Sequence, residues 1–295
     1  MLKDERINFR PFEYPKAYEF TKAQNNHHWT HSGIDVDSDL TQYHTEFTEA
    51  EKHGINTVLK LFTRYELRVG NYWTDVIYNR FKKPEIQMMA QVLGAMEVEH
   101  ALFYDKLNEA IGLNTEEFHL SFLDDPSMKA RDKFIGDMLD LGKEGSDEDL
   151  AVALATFSFV EGVVLYSSFA FLLSFQQQAQ GKLKNVAGTG LAYSVRDEAL
   201  HADAGSWLFN TLVEEYDLDR KKIQKRIEKV AKESYELEKN IIENIFSKGS
   251  IEGITERQLK NFVKSRINKK LKDIGMEQFE KVTYNPISKW FYKVI

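Results

Sequence analysis

Two short runs carry the same pair of side chains, Glu97 and His100 in Glu-Val-Glu-His and Glu198 and His201 in Glu-Ala-Leu-His. A spacing of three places both groups of each pair on one helix face. The face of Glu97 also bears Ala90, Leu93, Ala101 and Tyr104, so its polar pair points into a core. Glu66 shares a stripe with Leu59, Phe62, Val69 and Trp73, and Glu161 shares one with Leu154, Phe157, Val164, Leu165 and Ser168. Four helical segments each turn a carboxylate inward, and two of them add an imidazole one turn later. An isolated buried carboxylate is costly or takes up a proton, whereas two divalent cations neutralise four such groups together. The chemistry expected is therefore metal binding at Glu66, Glu97, His100, Glu161, Glu198 and His201.

The joint pattern carries this reading, not any one residue. Glu116 and His119 also form Glu-x-x-His, but they follow Asn114-Thr115 beside Glu117, where an exposed helix start accounts for them. Glu66 alone, next to Arg64 and Arg68, would read as a salt-bridged surface group. The order Glu, Glu-x-x-His, Glu, Glu-x-x-His on four apolar faces is that of the dinuclear site of ferritin-like bundles.

Helical patterns that could hold these groups run over about 45–81, 84–111, 127–142, 147–178, 186–215, 219–248 and 255–273, punctuated by Pro84, Pro126, Gly112 and Gly142. No strand alternation is visible. Residues 1–40, with Pro11, Pro15 and the cluster Asn25 to His31, read as an irregular arm with short helical turns. The expectation is one all-α domain over residues 1–295, a ferritin-like bundle with extra helices and an N-terminal arm. Only 5 Pro and 16 Gly in 295 residues agree with a helical chain.

A net charge of -7 argues against a nucleic-acid groove, and the basic runs Asp219 to Lys229 and Lys260 to Lys272 read as solvated helix faces. No cysteine is present, so a metal must be held by carboxylate and imidazole, with no disulfide and no thiol nucleophile. The N-terminus lacks a signal-type apolar run, and a reducing cytoplasm is the expected address. Ala151 to Gln178 is long enough to span a bilayer, but Glu161 lies deep within it and no second span accompanies it. A helix buried all round is expected, with no membrane.

Glu97-Val-Glu-His100 followed by Tyr104, Phe-Val-Glu161-Gly, Arg-Asp197-Glu198-Ala-Leu-His201 and Asn285-Pro-Ile together resemble the small, radical-generating subunit of class I ribonucleotide reductase over most of the chain. The resemblance implies that Tyr104 is the tyrosine oxidised to a radical. It also implies that Trp29 relays an electron toward the surface, and that Asp197 links a ligand histidine to that tryptophan. Spacing alone supports a buried tyrosine, an arm anchored by Trp29 and an aspartate paired with Arg196. Phe169 would help keep the pocket dry, and His27, His28 and His31 read as surface or capping residues. By the same resemblance, the reduced metal pair reacts with oxygen or superoxide, and the oxidant is stored as a high-valent cluster or a Tyr104 radical. It is then passed to a separate large catalytic subunit that reduces ribonucleotides; a homodimer is expected.

Many members carry Asp at the first ligand position. Glu66 there, with Tyr104 retained, is most similar to the dimanganese group called class Id, so two manganese ions are expected, with two irons or a mixed pair as alternatives. The family's usual flexible tail, with a relay tyrosine and a docking segment, would lie beyond Asn285-Pro-Ile, and Tyr284 and Tyr292 stand near that place. Competing functions are a stand-alone dinuclear oxidase or oxygenase acting on a small molecule, an iron-storage bundle, and a scaffold with buried salt bridges.

Overall fold

The computed structural model describes residues 1–179 and 181–294. Chain-stopping and capping residues explain where its helices begin. Helix α1 (Pro15–Asn26) opens on a proline whose missing N–H costs nothing in a first turn. Helix α2 (Asp37–Thr45) leads to α3 (Glu49–Asn71), where Thr48 and Glu51 form a reciprocal capping box. A π-helical stretch, Tyr72–Ile77, continues α3 into the short α4 (Tyr78–Arg80). Pro84 then starts α5 (Pro84–Ala110), followed by α6 (Glu116–Leu120) and by α7 (Pro126–Glu144), which Asp125 caps.

Ser146 and Asp149 box the start of α8 (Asp147–Phe159), which runs through a second π-helical stretch, Val160–Val164, into α9 (Leu165–Ser174). After α10 (Lys184–Val186) and a third such stretch, Ala187–Leu191, come α11 (Ala192–Glu215), α12 (Arg220–Ile245), α13 (Glu256–Asp273) and α14 (Ser288–Val294). Among the described residues there is no strand, and one isolated bridge joins Ile251 to Ile254. The fold is the expected ferritin-like helical bundle.

Four elements make the centre: α3 lies along α5, and α11 along α8 and the stretch that follows it. The span Asp147–Gln177 is apolar enough to cross a membrane, but its apolar window is 100% buried within the bundle. It is a core helix, as its lone carboxylate indicated. Helices α12 and α13 cover the far side of α8 and α9.

The arm differs from expectation. It is not merely irregular, because α1 is a full helix of 12 residues seated on α5. Its buried residues Ala17, Phe20, Thr21 and Gln24 recur at helical spacing, a signal masked by the polar residues between them. Buried Glu85 on α5 anchors the entrance to α1. Its carboxylate accepts the backbone N–H groups of Glu13 at 2.8 Å and Tyr14 at 2.9 Å and pairs with the guanidinium of Arg6.

Glu85→Ala leaves these donors without their acceptor and is expected to cost about 3 kcal/mol. Urea unfolding measures this, and limited proteolysis should show faster cleavage within residues 1–30; an unchanged midpoint would refute the anchoring role.

Candidate metal centre

The four central elements bring all six acid and imidazole side chains to one point, each of them at most 1% exposed. Glu66 comes from α3, Glu97 and His100 from α5, Glu161 from the π-helical stretch after α8, and Glu198 and His201 from α11. They form two overlapping groups. Glu66, Glu97, His100 and Glu198 make one, Glu97, Glu161, Glu198 and His201 the other, and within each group donor atoms lie within 4.8 Å of one another. Glu97 and Glu198 belong to both, so each would be able to serve either of two cation positions.

Both imidazoles turn Nδ1 to the centre. His100 Nδ1 lies 2.9 Å from Glu97, 3.1 Å from Glu198 and 3.8 Å from Glu66, while His201 Nδ1 lies 2.6 Å from Glu97. The outer nitrogens are held from behind: His100 Nε2 faces Asp197 Oδ2 at 3.3 Å, and His201 Nε2 faces Gln24 Oε1 at 3.0 Å. Outer partners of this kind fix the ring orientation of a ligating histidine.

Protein hydrogen bonds satisfy only part of this cluster. Both oxygens of Glu66 and of Glu198, one of Glu97, and Nδ1 of His201 are buried without a hydrogen-bond partner. Such groups are tolerated in a core when a cation takes their lone pairs. Four carboxylates and two imidazoles of this geometry suit a dinuclear site, two divalent charges balancing four negative ones.

The protonation preferences agree. Burial pushes Glu66 up to about 7, and burial with the neighbouring carboxylates raises Glu161 and Glu198 well above the ordinary range. Burial acts the same way on Glu97, but His201 and His100 outweigh it and hold the group low. His100 is raised despite its burial, chiefly by Glu97 and Asp197.

The remaining residues of interest surround this point. Trp29 donates to Asp197 Oδ2 at 2.7 Å, and its ring lies over His100 with centroids 5.7 Å apart. Arg196 is no tight partner of Asp197, at 3.9 Å, and bonds instead to the carbonyl of His27. Tyr104 is fully buried, stacks on Phe62 at 4.2 Å and donates to Ser194 at 3.4 Å; Phe169 backs Phe62 at 5.6 Å. Arg64 and Arg68 pair with Asp132, which leaves Glu66 to the interior. Glu116 is exposed, and His119 faces Asn114 at 2.7 Å, a local surface contact. His31 meets Glu99 at 2.8 Å, His28 is exposed and His27 caps α1. Tyr284 is largely exposed, while Tyr292 accepts from Arg266 at 2.9 Å.

Sequence reasoning missed two groups that touch the cluster. Gln24 lay in the arm read as irregular. Trp73 was read as apolar filling, yet its indole N–H donates to Glu161 Oε1 at 3.0 Å. An indole N–H on a buried face needs an acceptor, and the nearest inward carboxylates were already named.

The family model "Ribonucleotide reductase, small chain" matches residues 6–286. "Probable ribonucleoside-diphosphate reductase small subunit 048L" of Invertebrate iridescent virus 3 is 28% identical over 302 residues, covering 97% of this chain and 79% of its own. The Chlamydia pneumoniae ribonucleoside-diphosphate reductase subunit beta is 24% identical over 278 residues, covering 90% and 79%. Among solved structures, the ribonucleotide reductase R2 subunit from Clostridium botulinum superposes with a TM-score of 0.86 at 17% identity, over 96% of this chain and 88% of that one. Streptococcus sanguinis dimanganese(II)-NrdF does so with 0.80 at 19% identity, over 97% and 98%. The chain belongs to the ribonucleotide reductase small-chain family, and it is the small subunit of an oxidoreductase.

The raised groups set a pH dependence for the metal-free protein. Glu66 has an ordinary value of 4.5 and sits at about 7 in the fold, so its contribution turns against folding as pH rises between these values. His100, also raised, loses its stabilising contribution as pH climbs through its folded value, in the same direction. Glu97, held low, contributes fully above the ordinary carboxylate range and does not offset that slope. The melting temperature of metal-free protein is therefore expected to fall from about pH 5.5 to about pH 8, and saturating Mn²⁺ to remove most of the fall. A flat metal-free profile would contradict the clustering.

Proposed function

We propose that Glu66, Glu97, His100, Glu161, Glu198 and His201 are the ligands of a dimanganese centre of the class Id kind, and that Tyr104, Asp197 and Trp29 store and pass on its oxidising equivalent. The observation that carries this reading is the pair of overlapping four-residue clusters, joined through His100 and Asp197 to Trp29. Manganese is favoured by Glu66 at the first ligand position with Tyr104 retained; the oxygen and imidazole donors themselves accept either metal, so two irons or a mixed pair fit them too. Two such ions, when bound, supply a one-electron oxidant on reaction with molecular oxygen or superoxide.

This chain's residues do the rest. Glu97 and Glu198, each shared between the two groups, fix the separation of the two positions. Burial raises the Tyr104 phenol well above its ordinary range, so it keeps its proton at neutral pH, and any oxidation of the ring must be accompanied by departure of that proton. The stacked rings of Phe62 and Phe169 keep water from it. Asp197 accepts from the Trp29 indole and faces His100, so an electron drawn inward from Trp29 meets a continuous hydrogen-bonded path to the metal pocket. Trp29 is only 8% exposed and lies on the arm, outside the four central elements. As a small subunit, the chain holds the oxidant, while the partner binds and reduces the ribonucleotide; a homodimer is the expected assembly.

Elemental analysis should return about two metal ions per chain, with manganese dominant after expression in a medium supplying both metals. Electron paramagnetic resonance before and after oxygen or superoxide then separates a tyrosyl signal from a metal-centred one. Tyr104→Phe removes the former and leaves metal content intact.

Asp197→Asn is expected to lower nucleotide reduction with the large subunit about 10- to 100-fold while the metals stay bound. Turnover of a small molecule by this chain alone, with no effect of a large subunit, would instead favour a stand-alone oxidase.

A further inference from the structure

Glu161 sits on backbone that is not ordinary α-helix. In the stretch Val160–Val164 the ladder slips, with the N–H of Leu165 reaching Val160 O five residues back. Single π-helical turns of this kind disturb the pairing of neighbouring carbonyls, and buried carbonyls must find donors.

Two do so from side chains. Gly162 O accepts from Arg266 Nε at 2.8 Å, and Val164 O accepts from Arg131 Nη2 at 2.8 Å. Both arginines are 3% exposed and come from helices outside the central four, Arg131 from α7 and Arg266 from α13.

Each guanidinium is itself braced. Arg131 pairs with buried Glu238 at 3.1 Å and lies over Tyr65, while Arg266 lies 3.8 Å above the ring of Tyr166 and donates to Tyr292. Glu238 in turn accepts from Ser167, three residues past the stretch. The backbone leaves room for close approach: a Cβ at Gly162 would stand 2.7 Å from Lys270 Cδ. Lys270, one turn after Arg266, packs its methylenes there and carries its ammonium to Asp203 of α11 at 3.0 Å. Helix α13 thus touches the Glu161 backbone and the Glu198 helix together.

We propose that Arg131 and Arg266 are positioning residues that clamp the carbonyls of the π-helical stretch and thereby set Glu161 for one cation position only. This rests on the dinuclear reading above. Glu161 belongs to the group with His201 and is absent from the group with His100. Loss of the clamp is therefore selective. The position of Glu66 and His100 keeps its donors, and the position of Glu161 and His201 loses the alignment of one.

The test is an equilibrium titration of full-length metal-free protein with Mn²⁺, free ion being read by electron paramagnetic resonance. Wild type takes two ions per chain. Arg266→Gln is expected to keep the first and weaken the second by about tenfold or more, the scale of lost outer support for a ligand.

Arg266→Lys, which keeps the charge but cannot both stack on Tyr166 and hold the carbonyl in the same way, is expected to give the same order of effect in milder form. It carries the comparison if the glutamine variant does not fold. Equal weakening of both ions, or two ions bound as in wild type, would overturn the proposal. Wild type binding no metal would overturn the dinuclear reading instead, so the two failures are told apart.

Discussion

Four carboxylates buried from solvent are the constraint around which the rest of this structure is arranged. Charge of one sign at that density is affordable only with cations or protons, and the fold prepares for cations. It encloses the point with its four central elements, turns both Nδ1 atoms inward, and leaves six donor atoms without hydrogen-bond partners. The basic side chains near the ligands are turned elsewhere: Arg64 and Arg68 to Asp132, Arg196 to a carbonyl of the arm. An arginine aimed at the cluster would have offset one of the four negative charges and taken up lone pairs that a cation needs.

Outside the cluster the same balance is struck with protein groups. Arg131 meets Glu238, Lys182 meets Glu51, and Arg6 meets Glu85, each a largely buried pair. Arg6 and Lys182 tie non-helical segments to α5 and α3, Arg131–Glu238 joins α7 to α12, and two of these pairs act on the architecture of the site. Glu85 holds the entry to α1, which delivers Gln24 to His201, and Arg131 holds the backbone beside Glu161.

What could be read in the sequence, and what could not, divides along the range of the interaction. The Glu97–His100 and Glu198–His201 pairs are legible because three residues along a helix fix a shared face, whatever the rest of the chain does. Glu66 and Glu161 are legible because apolar neighbours at helical spacing surround them. The outer partners are another matter. Gln24 lies 177 residues from His201, and Trp73 lies 88 from Glu161, so no local pattern links either pair. Asp197 and Trp29, 168 residues apart, became a pair only through resemblance to a family. The π-helical stretch at Glu161 was invisible for a different reason: the helix around it is buried on every side, so there is no one-sided apolar stripe whose phase could break. Helix α1 was lost because its buried face includes threonine and glutamine, which a count of apolar residues passes over.

The two histidines are alike in how they face the centre and unlike in what stands behind them. His100 has an aspartate at its outer nitrogen; His201 has a neutral amide. An imidazole whose far N–H leans on an anion is the stronger electron donor, since part of that negative charge is shared through the ring. The pocket is therefore electronically lopsided even though its ligand sets look nearly mirror-symmetric. Of two identical ions held there, the one beside His100 would be the easier to oxidise, and it is also the one next to Trp29.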